Sequence, residues 1–321
     1  MKRKDTNFKS PNGLWSMVNV KYLMILALVL FSACNSDDPF SEQDEDTGSI
    51  SAATMGIDDF KSDTPMAYQL RTNITAEGKF LWARGDEVGV WPSLEEGEEP
   101  TASQVLFTIQ EGAGTNSANF TGSGWGLLHN RKYYAYFPYR DDAMSNAVTN
   151  TYQTGLIQMF NNMTIQLGVN DFMYASATTP SDGNNAQFQF HHLGSLMRIV
   201  INMPSSAATT VFKTVTLTSA DGKNMFPIEV TYNPTDETPV EKAISSSPSI
   251  DTKLGISGNG FKPTGNSITV WFLIGATDLS DRDIKVSVAN ATTTYTGTFT
   301  GANQKAGHAH SYTVSTTLAS S

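Results

Sequence analysis

The chain has 321 residues, with one cysteine, 21 basic and 31 acidic residues and a net charge of −10. A single cysteine cannot form an internal disulfide, and residues 34–321 contain no cluster of Lys and Arg to neutralise phosphates. We therefore predict a fold held by its hydrophobic core and no nucleic acid as a partner. The length predicts about two domains of ~100–150 residues each.

Residues 1–33 have the layout of a signal peptide. Basic residues precede an apolar run at 22–31, about half the ~20 residues that a membrane-spanning helix requires. Ser32 and Ala33 then lead to Cys34 in a pattern that resembles a bacterial lipobox, in which the cysteine sulfur receives a diacylglycerol before cleavage. We predict that Cys34 is lipidated and becomes the mature N-terminus, with translation starting at Met1 or Met17. The alternative is an ordinary secretory signal with an incidental cysteine.

Residues 34–49 form an acidic segment with almost no apolar side chains, a composition typical of a disordered tether. The Ser-Asp-Asp sequence directly after Cys34 resembles a signal for export to the outer face of the outer membrane; the alternative is a solvated spacer. Loss of the leader removes five of the 21 basic residues and one of the 31 acidic residues, so the net charge falls from −10 to near −14.

After the tether, short segments with period-2 alternation or β-branched and aromatic residues predict strands nearly throughout. No stretch shows a convincing helical stripe, and the chain is predicted to be all-β. A turn-rich stretch at 179–185 places a domain boundary between 50–183 and 184–321. The predicted strands include 80–83, 87–91, 133–137, 187–190, 196–201, 211–218, 267–274, 283–288, 292–299 and 311–314.

The sequence contains no serine-hydrolase elbow, no His-Glu-x-x-His motif and no phosphate-binding loop. We predict no enzyme, no cofactor and no metal site. His191 and His192 are adjacent in a strand and should point to opposite faces, so they cannot chelate one metal as a unit. His308 and His310 share a face, but no third ligand is evident. The acidic run at 95–99 is best interpreted as a solvated loop.

Aromatic residues are the remaining candidates for binding, because a stacking platform can hold a sugar ring. Most of them alternate along predicted strands, so packing in a sandwich core is the favoured interpretation. The set comprises Trp82, Trp91, Trp125, Tyr134, Tyr136, Tyr139 and Trp271.

Several segments, in a shared order behind the lipobox, resemble the fimbrillin-like family, the lipoprotein-derived subunits of type V pili and their paralogues. The resemblance covers about residue 66 to the end and is densest in the first domain. The segments are Arg71-Thr-Asn-Ile-Thr, Phe80-Leu-Trp-Ala-Arg-Gly-Asp-Glu-Val-Gly-Val, Ala118-Asn-Phe-Thr-Gly, Tyr133-Tyr-Ala-Tyr-Phe-Pro-Tyr, Asp171-Phe-Met-Tyr-Ala and Phe188-Gln-Phe-His-His-Leu-Gly-Ser-Leu-Met-Arg-Ile.

The resemblance implies two tandem transthyretin-like β-sandwich domains and a structural, adhesive role. In the family a trypsin-like protease cuts the lipoprotein after a basic residue, and the first strand leaves with its lipid. The exposed edge then recruits a strand from another subunit. Arg71 is the predicted cut site, with the segment 65–70 as the strand that leaves; the other basic residues are Lys61, Lys79 and Arg84, and an uncut Arg71 is the alternative.

The predicted donor strand lies near the C-terminus, with Tyr312, Val314 and Leu318 as its apolar positions, although the same segment could be the last strand of the second domain. Through Cys34 the predicted location is the surface of the outer membrane or an assembled fimbrium, with other pilus subunits as partners. The alternative function is a stand-alone surface lipoprotein that binds a glycan or a host protein without polymerising.

Overall fold

The structure is a computed structural model that describes residues 40–42, 52–58, 61–62, 80–92, 104–122, 125–143, 147–152, 156–158, 167, 170–181, 185–255 and 258–319. Across these residues the regular elements are mainly β-strands, together with a 3₁₀ turn at Ser205–Ala207. The prediction of an all-β fold is confirmed. Within the same ranges, no helix has the length and apolar character needed to cross a bilayer.

The strands are short, and most are two to seven residues long. The first twelve are β1 (Phe40–Glu42), β2 (Ala52–Ile57), β3 (Lys61–Ser62), β4 (Glu87–Pro92), β5 (Val105–Glu111), β6 (Ser117–Gly122), β7 (Trp125–Leu127), β8 (Lys132–Phe137), β9 (Val148–Thr151), β10 (Leu156–Gln158), β11 (Met173–Thr178) and β12 (Ala186–His192). The others are β13 (Gly194–Asn202), β14 (Thr214–Ser219), β15 (Phe226–Tyr232), β16 (Lys242–Ser247), β17 (Ser249–Leu254), β18 (Ser267–Gly275), β19 (Thr277–Asp278), β20 (Asp283–Ala289), β21 (Thr294–Thr300), β22 (Asn303–Gln304), β23 (His308–Ser315) and β24 (Thr317–Leu318).

Seven strands form a sheet that closes on itself in the order β11, β12, β2, β6, β5, β4, β8, with β8 pairing back to β11. Alternation along these strands places every second side chain inside, as in β12, where Phe188 and Phe190 are buried and the intervening Gln189 is exposed. We call the apolar cluster built around this closed sheet the first core. Its large aromatic side chains include Phe80, Trp82, Trp91, Phe107, Phe120, Tyr133, Tyr136, Phe172 and Phe190.

The C-terminal part of the chain contains a second core between two sheets of six and four strands. One sheet has the order β10, β17, β14, β20, β21, β24, and the other has the order β18, β13, β23, β3. Their inward side chains are mainly Ile, Val, Leu and Met, among them Ile199, Val215, Val286 and Val314. Because these side chains are fully or almost fully removed from water, they supply most of the hydrophobic stabilisation of this part.

The segment between β8 and β11 connects the two cores. β9 pairs with β15, and β10 pairs in parallel with β17, so strands from the first part of the sequence complete sheets of the second part. Trp271 and Leu273, on β18, are packed in the first core. Residues 39–321 accordingly form one compact unit, and the predicted division at residue 183 stays a prediction.

Two local expectations differ from the structure. Residues 81–83, predicted as a strand, lie outside the sheet because Trp82 exchanges backbone hydrogen bonds with the turn that joins β5 to β6 (Trp82 N to Thr115 O, 2.8 Å; Gly114 N to Trp82 O, 2.7 Å). Within the predicted tether, β1 pairs with β7 in antiparallel register, so these three residues have a partner strand.

Candidate functional site: the first strand and its surroundings

Strand β2 has a partner strand on each side in the closed sheet, although it comes from the N-terminal part of the sequence. It pairs in parallel with β12, from Ala53 opposite Ala186 to Ile57 opposite Phe190. On its other side it pairs antiparallel with β6. Backbone groups of β2 therefore bond to strands on both sides, and β12 and β6 would each have an unpaired edge without it.

The inner side of β2 faces aromatic residues of the first core. Ala53 is 1% exposed and belongs to the same cluster as Phe120 and Phe190, which stand on the two neighbouring strands. Trp82 packs edge-on against both rings, with centroid distances of 4.8 Å to Phe120 and 5.5 Å to Phe190. A chain lacking β2 would thus have an apolar, aromatic groove between two open strand edges.

Asp58, the residue directly after β2, is bonded to four consecutive residues of the β12 segment. Its backbone N–H donates to the carbonyl of Phe190 (3.0 Å), and its carboxylate accepts from Gln189 Nε2 (2.7 Å). The second carboxylate oxygen lies 2.6 Å from His191 Nδ1, and the Asp58 carbonyl lies 2.6 Å from His192 Nε2. This one residue therefore fixes the C-terminal end of β2 against β12.

His192 connects Asp58 to a buried carboxyl group. Its Nδ1 lies 2.5 Å from Asp171 Oδ2, and the two side chains are 1% and 0% exposed. Burial raises the pKa of Asp171, and His192 offsets part of that rise. For His192 burial acts to lower the pKa, but the charge of Asp171 and the hydrogen bonds to Asp171 and the Asp58 carbonyl outweigh it and leave the pKa raised.

A cavity of about 260 Å³ lies beside Asp58 at the end of β2. Strand β3 begins at its edge, where Lys61 N donates to the carbonyl of Gly307 (2.9 Å) and β3 pairs in parallel with the start of β23. The lining residues are Asp58, Lys61, Tyr174, His191, His192, Leu193, Thr238, Pro239, Val240, Ala306 and Gly307. The first strands are therefore attached both to the closed sheet and to the second core.

The predicted processing residues cannot be placed. Cys34, Arg71 and the segment 65–70 lie outside the described residues, as does Lys79. Of the other basic residues, Lys61 begins β3 and Arg84 stands in an exposed turn. The described strands β1, β2 and β3 all precede Arg71 in the sequence.

The predicted donor residues occupy the last strands of the second core. Tyr312 and Val314 lie in β23, which pairs in parallel with β13 from Leu196 opposite Ala309 to Asn202 opposite Ser315. Val314 is 3% exposed, whereas Leu318, in β24 at the edge of the six-stranded sheet, is 62% exposed. Their role as a donor stays a prediction.

The histidines and most of the aromatic residues singled out from the sequence also lie in the described part of the chain. His191 and His192 point to opposite sides of β12, as the strand period predicts, and the rings of His308 and His310 stack with centroids 6.3 Å apart on one side of β23. In the part of the chain that is described, no three His, Cys, Asp or Glu residues are grouped so as to hold a metal ion. Four of the aromatic candidates, Trp82, Trp91, Tyr136 and Trp271, are buried, which confirms their core interpretation.

Strand β2, the role of Asp58 and the pairing of His192 with Asp171 were not predicted from the sequence. Ala, Thr, Met and Gly in 52–57 give no strong alternation, and the two partners of His192 are 21 and 134 residues away. The only signal was the presence of Asp171 and His192 in two of the segments that resemble the fimbrillin-like family.

Comparison with known proteins finds solved structures of similar fold and a matching protein family. Solved structures similar in fold include a candidate cell-adhesion protein of Bacteroides ovatus, with 18% identity, a TM-score of 0.54, and coverage of 85% of this chain and 96% of the other. A candidate cell-adhesion protein of Bacteroides uniformis has 16% identity, a TM-score of 0.55, and coverage of 86% and 99%. No curated protein matches the sequence. The family profile described as fimbrillin-like matches residues 71–319, most of the chain, and the chain therefore belongs to the fimbrillin-like family.

Proposed function

We propose that this protein is a structural and adhesive subunit of a surface fimbrium. In this proposal it is exported as a lipoprotein through Cys34 and assembles by strand exchange after its first strands are removed. The observation that carries the proposal is the position of β2, which is N-terminal in sequence yet fills the space between β12 and β6. Main-chain hydrogen bonds along two open edges would give affinity for an incoming strand, and the groove floor would select its side chains.

A cut after Arg71 suits this geometry. The three strands β1, β2 and β3 all lie before residue 71, so one cleavage separates them from the rest of the fold together with the lipid on Cys34. We propose β2 as the strand whose departure opens the groove, in place of the segment 65–70 considered from the sequence.

The same cleavage would change the surroundings of the proposed donor. β3 pairs with His308 and Ala309 at the start of β23, so loss of β3 leaves that end of the strand at the edge of its sheet. We propose that the segment with Tyr312, Val314 and Leu318 then becomes able to leave and to enter the groove of another copy. We also propose that the two cores correspond to the two transthyretin-like sandwiches of the family, divided near residue 183.

The second candidate is a stand-alone surface lipoprotein that binds a glycan or a host protein. The observation that favours it is the depth at which β23 is built into the second core, with Val314 buried and seven residues of β13 paired alongside. Under this alternative the chain stays full length and monomeric at the surface of the outer membrane.

A disulfide across β2 and β6 tests the proposal. Thr54 and Asn119 are directly opposite in the antiparallel register, which places their Cα atoms at a separation that a disulfide can span. The single native cysteine, Cys34, carries the lipid in this proposal. The double variant T54C/N119C should still be cut by the protease but should keep β2 attached. We expect it to form no heat-resistant ladders in detergent until it is reduced, whereas T54C and N119C alone should form ladders like the wild type. Normal ladders from the oxidised double variant would refute assembly through the β2 groove.

A further inference from the structure

The end of β2 is held by a histidine whose two ring nitrogens both face oxygen atoms. Nε2 of His192 points to the backbone carbonyl of Asp58, and a carbonyl can only accept a hydrogen bond, so Nε2 carries a hydrogen. Nδ1 faces the carboxyl group of Asp171, and one further proton must lie between these two groups. The closed arrangement thus needs two protons on the His192 and Asp171 pair.

Loss of one proton breaks the contact between His192 Nε2 and the Asp58 carbonyl. The other carboxyl oxygen of Asp171, Oδ1, is buried and has no hydrogen-bond partner among the described residues. If His192 released Asp171, a buried carboxylate would have no hydrogen bond at all, which is the more costly outcome. The remaining hydrogen therefore stays on Nδ1, and the bare Nε2 then faces the Asp58 carbonyl, where two lone pairs repel.

We propose that Asp171, His192 and Asp58 form a proton-dependent clamp on strand β2, closed when the His192 and Asp171 pair holds two protons and loosened when one proton is lost as the pH rises. This inference rests on the proposed removal of β2, because it describes what controls the ease with which that strand leaves. The clamp acts at one point, the end of β2, and it leaves the ladders with β12 and β6 to hold the rest of the strand.

Other titratable groups surround the clamp. On the open side stand the Asp58 carboxylate, His191 and Tyr174, and Lys61 lines the same cavity. On the inner side Asp171 interacts electrostatically with Tyr152 and Glu241. Burial raises the pKa of Glu241 to about 8, within the pH range of the test below, so this titration must be removed in a control.

The direction of the pH effect follows from proton linkage. The pKa of His192 is raised above its ordinary value of 6.5 in the closed state. Opening of β2 breaks the contact with the Asp58 carbonyl and leaves the pair with Asp171, so the pKa of His192 is lower in the open state than in the closed state. The stabilisation is complete below the open-state pKa and is lost as the pH rises through the closed-state pKa. Between those limits the equilibrium constant for opening of β2 should rise by up to about tenfold per pH unit, the slope for release of one proton.

The variant D171N offers a matched control. An amide N–H at this position can donate to Nδ1 of a neutral imidazole while Nε2–H still donates to the Asp58 carbonyl, so both contacts persist without the extra proton. The clamp of D171N should consequently be insensitive to pH above about 6.5, the ordinary histidine pKa.

Hydrogen exchange followed by mass spectrometry on the full-length protein, from pH 6 to pH 9, measures this opening in the peptide that contains β2. After correction for intrinsic exchange rates, we expect opening to increase with pH in the wild type and in E241Q and to stay constant in D171N. A flat wild-type profile, or the same slope in D171N, would overturn the clamp.

If D171N does not fold, the wild type still decides the question. Opening of the β2 peptide should then rise with pH more steeply than opening of a peptide from β14, which lies in the second core; equal slopes would overturn the proposal. The experiments distinguish rejection of the clamp from rejection of the proposed subunit assembly. A flat exchange profile with normal detergent-resistant ladders rejects the clamp alone, whereas a pH slope without ladders rejects subunit assembly alone.

Discussion

Replacing Glu241 with glutamine is expected to remove a pH-dependent loss of stability at the contact between the two cores. The residue as a whole is partly exposed, but its carboxyl group reaches inward and accepts a hydrogen bond from the buried Tyr152 hydroxyl (2.6 Å). A longer contact joins Ala276 N to the second oxygen (3.4 Å). Tyr152 belongs to the first core and follows β9, whereas Glu241 directly precedes β16, so the pair joins distant parts of the sequence.

The magnitude follows from the pKa of Glu241, which burial raises from 4.5 to about 8. At about 1.4 kcal/mol per pKa unit, ionising this group in the folded protein costs about 5 kcal/mol. Partial exposure lets water screen the charge, so we expect about 2–5 kcal/mol. Because the folded state binds the proton more tightly than the unfolded state, the stabilisation is present below pH 4.5 and is lost as the pH rises through about 8.

Urea unfolding of the wild type and E241Q from pH 5 to pH 9 measures this loss. The amide keeps an acceptor for the Tyr152 hydroxyl and cannot ionise, so the two proteins should be similar at pH 5 and E241Q should be the more stable at pH 9. In the wild type, the hydrogen bond from Tyr152 lowers the pKa of Glu241. The variant Y152F removes this donor, so the pH at which the stability is lost should be higher than in the wild type. A stability difference between wild type and E241Q that does not change with pH would refute the reasoning.

Two further predictions concern single side chains. Burial raises the pKa of Asp86 to about 6, so the wild type should lose up to about 3 kcal/mol of unfolding free energy between pH 4 and pH 7. D86N can still accept a hydrogen bond from Ala83 N–H and cannot ionise, so it should not show this loss. The same pH profile in D86N and the wild type would contradict this. V314A should cost about 1–3 kcal/mol in urea unfolding because Val314 is buried in the second core, whereas L318A, at a 62% exposed position, should cost less than about 0.5 kcal/mol; equal costs would contradict the packing described for β23 and β24.

Local sequence patterns were sufficient for the strands that carry their own alternation. The run at 187–190 predicts a strand with Phe188 and Phe190 inside, and β12 has that geometry, while the aromatic run at 133–137 lies within β8. These strands are half-buried on a pleated surface, so the period-2 pattern records the burial directly.

The position of β2 could not be predicted in the same way. Its residues include Ala52, Ala53 and Gly56, which have little preference for strands, and β2 is held by the backbone of β12 and β6. The pairing of His192 with Asp171 likewise depends on how the closed sheet brings β12 next to the segment before β11. Such contacts are determined by the register of the whole sheet, which no short window of sequence contains.

The measurement that tests the central claim most directly is the N-terminal analysis of protein sheared from the cell surface and isolated in its assembled form. Removal of the first strands by cleavage after Arg71 predicts a chain that begins at Thr72 and contains neither β2 nor Cys34. Assembled material that begins throughout at lipidated Cys34 would contradict strand removal as the route to assembly.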